Sequence, residues 1–136
     1  MIIDKAENEL KFLKKRFKIP LYDHLTITIV ITDCMSEAFK RITNADLEYE
    51  SLGMFFHQGK QDIHLILNEG EDGNGLEGYK LSVGCIAHEA FHATKYIMDY
   101  VGMELNDASE EAYTYLLQWI TDTSIDLLDK YKIKYK

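Results

Sequence analysis

The stretch Ser82-Val83-Gly84-Cys85-Ile86-Ala87-His88-Glu89-Ala90-Phe91-His92, continued by Ala93-Thr94-Lys95-Tyr96-Ile97-Met98-Asp99-Tyr100-Val101-Gly102, decides how the chain is read. Its apolar positions recur at helical spacing: Ile86, Ala90, Ala93 and Ile97 fall on one side. Ser82 is a good N-cap, and Gly102 is a natural stop. The spacing therefore predicts a helix from about 82 to 101 whose core-facing side is supplied without any histidine. At 100° per residue His88 and His92 lie within about 40° of each other on another side, one turn apart. Two imidazoles so placed can bind one tetrahedral metal ion, and zinc is the natural choice for imidazole with carboxylate. Glu89 projects about 100° round from His88, where it can hold a water beside the ion and take its proton.

Working outward, Asp107 is expected to cap a second helix reaching about Leu128, with Glu110 completing a capping box. Upstream, Leu25-Thr26-Ile27-Thr28-Ile29-Val30-Ile31 is β-branched and alternating at its start, which predicts a strand. Two more strands are expected at Leu52–His57 and Asp62–Leu67, joined by Gln58-Gly59-Lys60-Gln61, a hairpin-length connection. A short helix fits Ser36–Ile42. Leu10, Leu13 and Phe17 stand at helical spacing, so Asp4–Phe17 is read as an N-terminal helix ended by Pro20. Glu69–Gly75 is acidic and glycine-rich, and reads as a mobile loop. The expected fold is one α+β domain over residues 1–136: a small, mostly antiparallel sheet, an N-terminal helix and a C-terminal helical pair.

Composition narrows the partners. The 136 residues carry 15 Lys and Arg against 23 Asp and Glu, a formal charge of −8, which argues against nucleic acid and acidic membrane surfaces. No apolar run approaches the ~20 residues of a membrane helix, and the first residues show no basic region followed by an apolar one. A cytoplasmic protein is expected, with Cys34 and Cys85 as free, packed thiols. Oligomeric state is not readable from the pattern.

A catalytic zinc needs a third protein ligand and an open position. His24, His57 and His64 lie in or beside strands, and no histidine follows His92. Glu110 and Glu111 open the next helix; with Glu110 engaged in capping, Glu111 is freer to point back across the helical hairpin. Tyr96, one turn past His92, could support a ligand or simply pack. Cys85 reads as a buried thiol, and Tyr113, Tyr115 and Trp119 as core.

His88-Glu89-Ala90-Phe91-His92 followed by Glu111-Ala112 resembles the gluzincin metallopeptidases, the thermolysin-like group, over residues 82 to 120. The run from Glu111 through Leu116, Leu117 and Trp119 is similar to small phage- and prophage-encoded metallopeptidase-like proteins. The resemblance implies a minimal zincin-like fold, Zn2+ held by His88, His92 and Glu111, Glu89 as general base, and a protein or peptide substrate. It also implies that the strand before the motif helix pairs with an extended substrate. In the larger enzymes an Asp four residues after the ligand Glu supports the first His, whereas Tyr115 stands there in this chain. No residue matches their oxyanion-stabilising Tyr or His. A non-catalytic zinc-binding module in phage assembly or host interaction is the alternative reading.

Overall fold

A computed structural model of the chain describes residues 9–70 and 80–136. It is an α+β fold with elements in the order β1 (Phe12–Ile19), β2 (Tyr22–Thr32), α1 (Met35–Thr43), β3 (Gly53–Gln58), β4 (Asp62–Asn68), α2 (Val83–Tyr100) and α3 (Glu110–Lys130). The strands form one sheet in the order β1-β2-β4-β3. β1 with β2 and β3 with β4 are antiparallel, while β2 and β4 run parallel at the centre. No helix among the described residues is long and apolar enough to cross a membrane.

The sheet is covered on both faces, which explains why β2 and β4 become continuously apolar. Ile27, Ile29 and Ile31 of β2, with Ile63, Leu65 and Leu67 of β4, alternate toward the main core beneath α2 and α3. Val30 and Ile66 point the other way, to a smaller core with Met35 and Ala38 of α1. Each fully buried aliphatic side chain contributes roughly 1.5–3 kcal/mol. The two central strands are thus the chain's densest source of stability.

The expected N-terminal helix is not formed over residues 12–17; they belong to β1, and residues 4–8 lie outside the described residues. The i, i+4 spacing of Leu13 and Phe17 also satisfies a two-residue period. In the strand both pack on the main core, and pairing with β2 overrides the helical reading. The intervening lysines suit an edge strand, where charge discourages further pairing. Pro20 turns the β1–β2 hairpin, with exposed Leu21 at a φ of 69°. The other strands, the 58–61 connection and α1 agree with expectation to within a few residues. Residues 71–75 of the expected loop lie outside the described residues.

Helix α1 begins without local help, because Cys34 makes no side-chain cap bond. Its first amides are satisfied by buried Glu50 instead, whose carboxylate accepts from Met35 N at 2.7 Å and Ser36 N at 2.8 Å. A negative group at a helix N-terminus is also favoured by the helix dipole. Glu50→Ala should therefore cost about 3 kcal/mol in urea unfolding, since it removes two charge-assisted bonds and orphans two amides. A loss below about 0.5 kcal/mol would show that water replaces the carboxylate.

His64 sits on the α1 face of β4, buried and stacked on Phe56 at 4.9 Å, and not on a solvent face. Burial pushes its imidazole below the ordinary range, with Lys14 and Arg16 adding to the shift and the Asp62 charge opposing it. The folded chain thus resists a proton that the unfolded chain accepts. The His64 contribution to stability is complete above pH of about 6.5 and is lost as pH falls below it. Urea unfolding of His64→Phe between pH 7 and 5 should give a shallower pH slope than wild type; an unchanged slope would assign it to other groups.

Candidate metal centre and active site

Helix α2 starts as its sequence dictates, with Ser82 Oγ accepting from Cys85 N at 3.1 Å, and Gly102 takes a φ of 79° just past its end. Ile86, Ala90, Ala93 and Ile97 are fully buried, leaving His88 and His92 exposed on another side. Their Nε2 atoms stand 3.2 Å apart. Two nitrogens bound at 2.0–2.1 Å to one tetrahedral ion are about 3.3 Å apart, so the pair is already spaced for zinc.

Glu89 leans from the same helix toward β3, an edge strand, where its side chain lies beside Gly53 and near the Phe55 backbone. Burial raises its pKa, while the charges of His92 and His88 and the nearby Phe55 backbone pull it down. The approach depends on Gly53. A Cβ on that residue would lie 2.7 Å from Glu89 Cγ and 3.2 Å from Cys85 Sγ, closer than packing allows. Tyr49, Ser51, Gly53, Phe55, Glu89 and His92 thereby line an open cleft of about 310 Å³. Gly53, Tyr49 and Ser51 were not singled out in the sequence; a glycine at a strand start was the available signal of close backbone approach.

The neighbouring candidates sort by face. His57 is on the α2 side of β3 but stacks on Tyr96 at 4.3 Å, and its Nδ1 is bonded to Gly59 O. Tyr96 also packs on Phe55 and donates to Lys60 O at 2.8 Å, so it braces the β3–β4 connection. The His24 ring lies tilted beside Tyr100, with centroids 6.2 Å apart. His64, across the sheet, is removed from the set of third ligands by its position. Cys34 and Cys85 are both reduced thiols, and burial pushes the Cys85 thiol up. Tyr113 and Trp119 pack in the core as expected, whereas Tyr115 is 66% exposed.

The start of α3 differs from expectation. Asn106 Oδ1 accepts from Ala108 N and Ser109 N, and Ser109 Oγ accepts from Asn106 N. This turn shifts the helix start two residues beyond Asp107, so Glu110 becomes the first helical residue and no capping box forms. Tyr113 Oη donates to Met103 O beyond the end of α2, and Lys136 pairs with Leu81 and Val83 at its beginning. α3 therefore runs back along α2, with exposed Glu110 and Glu111 near the far end. His92 lies eight residues before that end, about 12 Å along the axis. Among the described residues no three His, Cys, Asp or Glu side chains form a group able to hold a metal, so His88 and His92 are brought together and Glu111 is not joined to them.

The edge strand also moves. β4, the strand nearest the motif helix in sequence, lies between β2 and β3, and β3 is the edge strand on that side of the sheet. Gly53→Ala should push β3 from α2, move Glu89 away from the Phe55 backbone and cost roughly 1–3 kcal/mol. The Phe55 amide resonance and a urea titration report both effects; an unmoved Phe55 amide would mean that Glu89 accommodates the methyl group. Compared with known protein families, curated proteins and solved structures, the chain matches none.

Proposed function

We propose that the chain is a minimal zinc-dependent hydrolase of the gluzincin type, acting on a peptide bond, with His88 and His92 as metal ligands and Glu89 as general base. The observation that carries this reading is the 3.2 Å separation of the two Nε2 atoms, with a half-buried carboxylate beside them. When bound, zinc supplies Lewis acidity, polarising a carbonyl and acidifying water. Glu89 takes the proton of the attacking water and delivers it to the leaving nitrogen. Its desolvation favours proton uptake. An extended substrate is held by the outer edge of β3, as strand addition to an open sheet edge would hold it.

The third ligand in this reading is Glu111, taken from the resemblance; it must approach the pair from the first turn of α3. Zinc analysis after reconstitution should give about one ion per chain. His88→Ala or His92→Ala should abolish binding, and Glu111→Ala should weaken it by orders of magnitude while Glu110→Gln leaves it nearly unchanged. Glu89→Gln should keep zinc and lower peptide turnover about 10²- to 10⁴-fold. A metal ratio near zero removes the hydrolase reading. Zinc retained without any turnover in the wild type leaves the non-catalytic module.

A further inference from the structure

We propose that the face of the sheet opposite α2 and α3 carries a second binding site, for a small organic anion with a phosphate or carboxylate head and an apolar body. The strand register builds it. Arg16, Thr28, His64 and Phe56 are successive cross-strand partners, so they form one row on the α1 face; Lys14, Val30, Ile66 and Met54 form the next. Helix α1, nine residues long, packs on Val30, Ile66, Met54 and Phe56 at one end of this face. A cavity of about 450 Å³ remains beside it.

Its lining is cationic. Among the described residues, Lys14, Arg16 and Arg41 border it against one carboxylate, Asp62, in a chain of formal charge −8. Phe12, Val30 and Ile42 supply an apolar wall, with Arg41 lying over the Phe12 ring at 4.9 Å. The independent sign of a ligand is His64. It is only 6% exposed, it lines this cavity, and its Nδ1 has no hydrogen-bond partner among the described residues. Leaving a buried polar atom unsatisfied costs roughly 1–3 kcal/mol, and so few groups are left in that state that each calls for a physical reason. An anion held between the three cations sets its head group beside His64, while its body covers the apolar wall. Guanidinium groups suit this task because their donors match both phosphate and carboxylate oxygens.

The test is an NMR titration of the full chain with phenyl phosphate, benzoate and inorganic phosphate. Saturable shifts at Thr28 and His64 are expected with phenyl phosphate or benzoate, the tighter of the two naming the head group. Inorganic phosphate should bind at least about tenfold more weakly, because it leaves the apolar wall uncovered. Arg16→Gln, at an exposed edge-strand position, should weaken binding at least about tenfold with an unchanged circular dichroism spectrum. Arg41→Gln serves the same purpose from the helix side. His88→Ala should leave the titration unchanged, which separates this site from the metal centre. Absence of saturable shifts with both aromatic probes overturns the proposal, as does binding undiminished in both Arg16→Gln and Arg41→Gln.

Discussion

The close seating of α2 on the sheet is the constraint on which the rest of the structure depends. Ala90 and Ala93 bring the helix axis near β3 and β4, while Ile86 and Ile97 fill the space on either side. Gly53 removes the one side chain that would keep Glu89 off β3. Because this face supplies the packing, the histidine face is released from it. Larger residues at 90 and 93 would overpack the interface and lift Glu89 from the Phe55 backbone. The same short distance that stabilises the core therefore sets the position of the candidate base.

Much of this was legible in the sequence because local signals agreed with tertiary ones. The 82–102 segment has a cap, a stop and a single apolar stripe; the 26–31 segment is β-branched throughout; and Gly59 sits in a short connection. β1 was misread because Leu13 and Phe17 satisfy both periods and the lysines between them suit a solvated helix as well as a sheet edge. What decides is β2, a partner whose preference for pairing is not visible within residues 12–17. Glu50 capping α1 from fifteen residues away is similarly nonlocal. The start of α3 was missed for a different reason: Asp107 and Asn106 are both turn formers, and Asn106 closes the turn first.

The candidate site was legible only in its helical part. Spacing alone placed His88, Glu89 and His92, since one helix fixes all three. Anything that required knowing how strands lie beside that helix was not available. That includes the edge position of β3, the burial of Glu89 and the removal of His64 to the opposite face. The helix after the motif illustrates the same limit. Nineteen residues separate His92 from Glu111, but two further turns of α2 and the 101–109 connection set where those residues lead.

The two faces are mechanically joined through β3 and β4. In β4, Ile63 and Leu65 face the main core while Asp62 and His64 face the cavity, so neighbouring residues serve opposite sides of one strand. In β3, Phe55 packs toward His92 and Tyr96, and Phe56 stacks on His64. A one-residue slip of β3 would exchange these roles and take Gly53 from its place beside Glu89. Register is therefore fixed twice, by the core on one side and by the Phe56–His64 stack on the other. A short edge strand with a glycine at its start would otherwise be weakly specified. Its precision at the cleft is supplied in part by residues that never touch the cleft.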